Sequence, residues 1–159
     1  MTQNKLDISR ATEAVKATRF VEALSLLESN LVKDPNHIDS LYLAAVCSRY
    51  LKNYDDSKKY IESLLSQAPD MGRAYQELGH LNRDIGNQEN AITHYRQACE
   101  LNPALLSSWK LLYDYFRRNK NKPAADHAFM QMNTLQSMPS ILLYISQILN
   151  EGKLGIAEE

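Results

Sequence analysis

The sequence predicts an all-α chain, an α-solenoid of antiparallel helix pairs, on three observations. Pro35, Pro69 and Pro103 fall 34 residues apart, and a column of small residues, Ala23, Ser57, Ala91 and Ala125, keeps the same step. Apolar residues inside each segment recur every three or four positions, as in Ala74, Leu78, Leu81 and Ile85, which is the period of one helix face. A fixed period of this length means stacked supersecondary units, each too small to bury its own apolar face, so the core runs along the stack.

Each helix has its punctuation. The residue before a proline avoids the helical region, so Asp34, Ala68 and Asn102 mark the ends of second helices. Turns within the repeats fall near Thr18, Lys52, Gly86 and Lys120, and only Gly86 is the residue best suited to a left-handed cap. First helices are therefore expected at 4–17, 38–51, 72–85 and 106–119, and second helices at 20–33, 54–67, 88–101 and 122–136. They make repeats of about 4–37, 38–71, 72–105 and 106–137. A partial fifth unit spans 138–159, where the step shortens by two and SILLYISQILNE forms a first helix ending near Glu151.

Two columns say how the helices of a unit meet. Ala11, Ala45, Gly79 and Tyr113 stand in one, Leu27, Ile61, Tyr95 and Phe129 in the other. A small residue on the first helix lets the second approach closely, and a bulky residue on the second fills the space beside it. Leu41, Tyr75 and Trp109 anchor the first helices. Tyr113 breaks the small column, so looser packing or a shifted helix is expected in the fourth unit. Asp7, Arg10 and Asn30 put polar groups where the first unit should be apolar, as an end repeat with one face to water would.

Composition narrows the function. A net charge of −1 argues against a general nucleic-acid binder, which needs a basic excess to displace counterions. Cys47 and Cys99 lack the spacing of a disulfide framework or a zinc site. The opening residues have no apolar signal core, and no segment approaches a membrane span, so the chain reads as cytoplasmic with no membrane partner. There is no GxxxxGK[ST] loop, no strand-linked GxGxxG and no GxSxG elbow. His37, His80, His94 and His127 are dispersed, and no metal, cofactor or catalysis is expected.

The segment AYQELGHLNRDIGNQENAITHYRQACELNP resembles a tetratricopeptide repeat, with Leu78, Gly79, Gly86, Ala91, Tyr95, Ala98 and Pro103 at the places that family uses. The resemblance implies a right-handed superhelix and a concave groove lined by first helices. Their exposed places here repeat as Arg49, Arg83 and Arg117, joined by Arg73, Gln76, His80, Lys110 and Asp114, with Tyr42 and Val46 as a more apolar patch. Such an arginine ladder could hold the carboxylates of an acidic or C-terminal peptide segment, since the planar guanidinium takes a carboxylate through two hydrogen bonds. The same arginines could instead be a solvated face, or pair with acids such as Glu77 and Asp84. The family's carboxylate-clamp subclass is not matched, because Leu43 and Glu77 occupy its groove-asparagine place in the central repeats.

The leading expectation is a non-catalytic scaffold that binds a protein or peptide segment. Met132 to Glu159 also resembles the region of bacterial proteins where tetratricopeptide repeats precede a sulfotransferase domain, which implies the N-terminal arm of a larger enzyme. The phosphate loop that such an enzyme needs does not occur in these residues. A third reading is self-association as a weak homodimer: Ile141, Leu142, Tyr144, Ile145, Ile148 and Leu149 make an apolar terminal helix, and the chain reads as cut from a longer protein.

Overall fold

The computed structural model describes residues 3–150, and among them there are nine α-helices and no strand. The chain divides after Pro69 into two compact units. Unit 1 contains α1 (Gln3–Lys16), α2 (Phe20–Lys33), α3 (Ile38–Tyr50) and α4 (Tyr54–Gln67). Unit 2 contains α5 (Gly72–Asp84), α6 (Gln88–Leu101), α7 (Leu106–Arg118), α8 (Lys122–Ser137) and α9 (Ser140–Asn150). Helix ends lie within one residue of the expected bounds. The expected second helix of the fifth unit, with Gly152 and Ala157, lies outside the described residues.

In unit 1, α1 pairs with α2 and α3 with α4, and α2 packs on α3. Ala11, Ala14, Ala23, Leu27, Ala44 and Cys47 form its core. In unit 2, α5 pairs with α6 and α7 with α8, while α6 packs on α7. Its core is built on Ile92, Tyr95, Cys99, Leu112 and Phe116, with Ala91, Ala125 and Ala128 in the same cluster. Ser57, the polar member of its small column, is buried and donates its hydroxyl to the Ala45 carbonyl at 2.9 Å.

All four expected turns are left-handed caps: φ is 58° at Thr18, 63° at Lys52, 84° at Gly86 and 56° at Lys120. The following residue closes each one, as Asn53 N–H donates to Ser48 O at 2.8 Å and Asn87 N–H to Asn82 O at 2.8 Å. This six-to-one bond, with Lys52 N–H to Arg49 O at 2.9 Å beside it, is the Schellman arrangement that satisfies the last carbonyls of a helix. Only glycine adopts it without steric cost. Thr18→Gly, Lys52→Gly and Lys120→Gly should therefore each stabilise the chain by about 1 kcal/mol, the β-branched Thr18 gaining most. Gly86→Ala should cost a similar amount, although a Cβ there would meet nothing within 4 Å. Urea midpoints of the four variants check this.

Two expectations need correction. Asn30 does not face water: it is 1% exposed, and its amide donates to Ser40 Oγ at 2.8 Å. A buried polar group is kept by its hydrogen bond, so an apolar column can hold an asparagine where a serine stands opposite. Asp7 is half-buried and pairs with Lys33 at 3.6 Å, while Arg10 is exposed as expected. In the fourth unit, Tyr113 meets Phe129 with ring centroids 5.6 Å apart, and Phe129 is 46% exposed where Leu27, Ile61 and Tyr95 are buried. Two rings cannot share a space sized for one, and the second-helix ring is pushed outward.

Candidate functional site

The ten residues expected to line a groove fall on both units. In unit 1, Tyr42 and Val46 are half-buried on α3. Arg49 is 7% exposed, which corrects its reading as an exposed rung. Its guanidinium carbon lies 4.5 Å from the centre of the Tyr50 ring, and Tyr50 stacks on Phe20 at 4.5 Å with the rings 2° from parallel. An arginine stem packs readily along apolar surface while its planar head rests on a ring, so position alone does not make the residue available.

The other seven belong to α5 and α7 of unit 2. Gln76 bridges these two first helices, its amide donating to Ser107 Oγ and Ser108 Oγ, each at 2.9 Å. His80 is half-buried and its Nδ1 lies 2.8 Å from the hydroxyl of Tyr95, the large residue opposite Gly79. Arg73 and Asp114 are half-buried, and Arg83, Lys110 and Arg117 are exposed. Arg83 donates from Nε and Nη2 to Asp84 Oδ1 at 3.1 and 2.9 Å. Arg117 lies 4.0 Å from Asp114 and 5.8 Å from the Tyr113 ring centre. Glu77, the other acid considered as their partner, is buried. Exposed pairs of this kind are worth about 0.2–1 kcal/mol, so an incoming carboxylate can displace them at small cost.

Packing fixes which sides of these helices turn inward. Ala74, Gly79 and Leu81 turn the opposite side of α5 into the core, and Leu112 and Phe116 do the same for α7. The fully exposed residues of both helices, Arg83, Asp84, Ser107, Lys110, Arg117 and Arg118, are polar or charged. The aromatic anchor Trp109 is half-buried, held by its indole N–H donating to Pro103 O at 2.9 Å.

The groove reading passed over a cavity of about 300 Å³ among α6, α7 and α8, lined by Cys99, Trp109, Leu112, Phe116 and Ala128 with Arg96 at its rim. Its signal in the sequence is subtractive: small residues occupy columns that are large in other repeats. Burial pushes the Cys99 thiol up to about 12. Among the described residues no cluster of His, Cys, Asp or Glu could hold a metal ion, and no helix is long and apolar enough to cross a membrane.

Residues 39–70 and 72–105 each match a family model described as tetratricopeptide repeat. Those descriptions name the repeat and no sulfotransferase. No curated protein matches the sequence. Among solved structures, MamA 41-end from Desulfovibrio magneticus RS-1 is similar at a TM-score of 0.69 and 19% identity, over 84% of this chain and 76% of that one. The first tetratricopeptide repeat domain of Spaghetti (RPAP3), bound to the HSP90 peptide SRMEEVD, is similar at 0.64 and 16% identity, over 77% of this chain and 94% of that one. The chain therefore has the all-α helical-repeat fold of tetratricopeptide proteins, with the family's sequence pattern matched across residues 39–70 and 72–105.

Proposed function

We propose that the chain is a protein-interaction scaffold whose unit 2 binds an acidic or C-terminal peptide segment along the face shared by α5 and α7. The observation that carries this is the exposed set Arg83, Lys110 and Arg117, with half-buried Arg73, on two first helices that Gln76 ties together. Exposed on these two helices are the cations Arg83, Lys110, Arg117 and Arg118 against one exposed acid, Asp84. A relative of the same fold holds the peptide SRMEEVD, whose acids and terminal carboxylate are of the chemistry this face would take. That relative's partner is not carried over, since Leu43 and Glu77 depart from the clamp pattern.

Titration with a labelled acidic peptide and its amidated, neutralised counterpart tests the reading. The acidic form should bind more tightly, and raising the salt should weaken it. Arg83→Glu combined with Arg117→Glu should reduce its affinity about tenfold or more and flatten the salt dependence. Equal binding of both peptides, or no effect of the reversals, would sink it.

A second reading has its own observation. On α9, Ile141 is 62% exposed, Tyr144 60% and Leu149 57%. An apolar surface of this kind favours association. Weak, concentration-dependent self-association is expected in light scattering, and it should disappear when Tyr144 and Ile148 are made polar. A monomer at all concentrations would end this reading without touching the first.

A further inference from the structure

We infer that unit 2 binds a small, monoanionic aromatic carboxylate in the cavity among α6, α7 and α8, a site separate from the α5/α7 face.

The repeat supplies an internal control for this space. Cys99 stands where the first two units have Leu31 and Leu65, and Ala128 stands where earlier units have Leu26, Tyr60 and His94. At the corresponding place in unit 1, among α2, α3 and α4, Leu31 and Tyr60 pack against the core. There Tyr60 reaches across from α4 and its hydroxyl donates to Glu28 on α2 at 3.1 Å. Two periods later the tyrosine has become Ala128 and the glutamate Arg96. The ring on the second helix is gone, the first helix brings Trp109, Leu112 and Phe116 where unit 1 has Leu41, Ala44 and Ser48, and the acceptor that met the ring's tip is now a donor.

A cavity of about 300 Å³ is left, at the lower end of the range for small-molecule sites. Trp109 and Phe116 offer two aromatic walls, and rings favour edge and offset contacts with other rings. Arg96 is exposed at the mouth, its guanidinium carbon 5.0 Å from the centre of the Phe116 ring, and among the described residues no carboxylate pairs with it. A ligand that replaces the missing tyrosine ring must therefore bring an acceptor to its tip, and a carboxylate satisfies the planar fork best. Glu100, one helix turn from Arg96, also lines the cavity and opposes any negative charge brought there, so a ligand is limited to the one carboxylate that Arg96 can hold. The buried Cys99 thiol stays neutral and adds no charge.

Trp109 is the single tryptophan of the chain, so tryptophan emission comes from a wall of this cavity. The probe is 4-methylbenzoate, a tyrosine side chain with carboxylate in place of hydroxyl, and 4-methylbenzamide is its neutral match. In the wild type, 4-methylbenzoate should change Trp109 emission saturably and bind more tightly than the amide. Arg96→Gln, at an exposed position, should abolish that preference by weakening the acid at least tenfold while the amide is unaffected. Ala128→Tyr should fill the cavity and remove binding of both, with circular dichroism confirming the helices. A wild type without saturable response overturns the proposal. So does an acid that binds Arg96→Gln or folded Ala128→Tyr as well as it binds the wild type. Should Ala128→Tyr fail to fold, the Arg96→Gln comparison decides by itself.

Discussion

A methyl group placed on Gly79 will destabilise unit 2 by about 1–3 kcal/mol, even though alanine is the better helix former by roughly 1 kcal/mol. The new Cβ would stand 2.5 Å from Tyr95 Cε1 and 2.6 Å from Cδ1. Tyr95 cannot retreat: it is 1% exposed, and its hydroxyl is engaged with His80 at 2.8 Å. Corresponding positions elsewhere show the other solution to the same packing problem, Ala11 with Leu27 and Ala45 with Ile61, all buried. Tyr95→Ile should therefore rescue Gly79→Ala, giving a coupling of about 0.5–3 kcal/mol in a double-mutant cycle. Urea unfolding of the two single variants and the double variant measures it. An additive double variant, or a Gly79→Ala chain as stable as the wild type, would contradict the register.

Thiol reactivity should show an effect of larger size. With its pKa pushed up from 9.0 to about 12 by burial first, and by the Glu100 charge to a smaller degree, Cys99 is a neutral thiol in the folded chain near neutrality. The thiolate is the reacting species, so a thiol reagent at pH 8 should label Cys99 about a thousandfold more slowly than in denatured protein. Labelling at a rate that denaturant does not change would refute this. The sign of the pH dependence follows from the same shift. The folded pKa lies above the unfolded one, so the contribution of the neutral buried thiol is fully present below about 9 and is lost as pH rises from there through about 12. Cys99→Ala should remove that part of the alkaline destabilisation.

Much of the fold was legible because its determinants are local and recur. Thr18, Lys52, Gly86 and Lys120 take left-handed backbone at the same step, three of them against their own preference, because the period requires a helix to end there. Prolines placed the helix boundaries, and small columns the close approaches, for the same reason. The candidate face was legible only in part. Arg83 and Arg117 are exposed on first helices as the period implies, whereas Arg49, at the same place in its unit, is buried. Register tells which way a side chain sets out from its helix, and neighbouring side chains decide where a long one comes to rest.

By itself the sequence determined the all-α repeat, its step, its helix bounds and the columns at which helices meet, because these follow from backbone preference and from an apolar period that each unit repeats. Tertiary structure alone decided the rest. It buried Asn30 by setting Ser40 opposite, turned Phe129 outward against Tyr113, and tied Gln76 of α5 to Ser107 and Ser108 of α7. It also left a cavity where Cys99 and Ala128 meet, a pairing of two small residues from different helices that no single helix reveals. The physical reason is common to all four: packing is a property of pairs brought together across helices, and volume, charge and hydrogen-bond capacity are settled only when both members of the pair are in place.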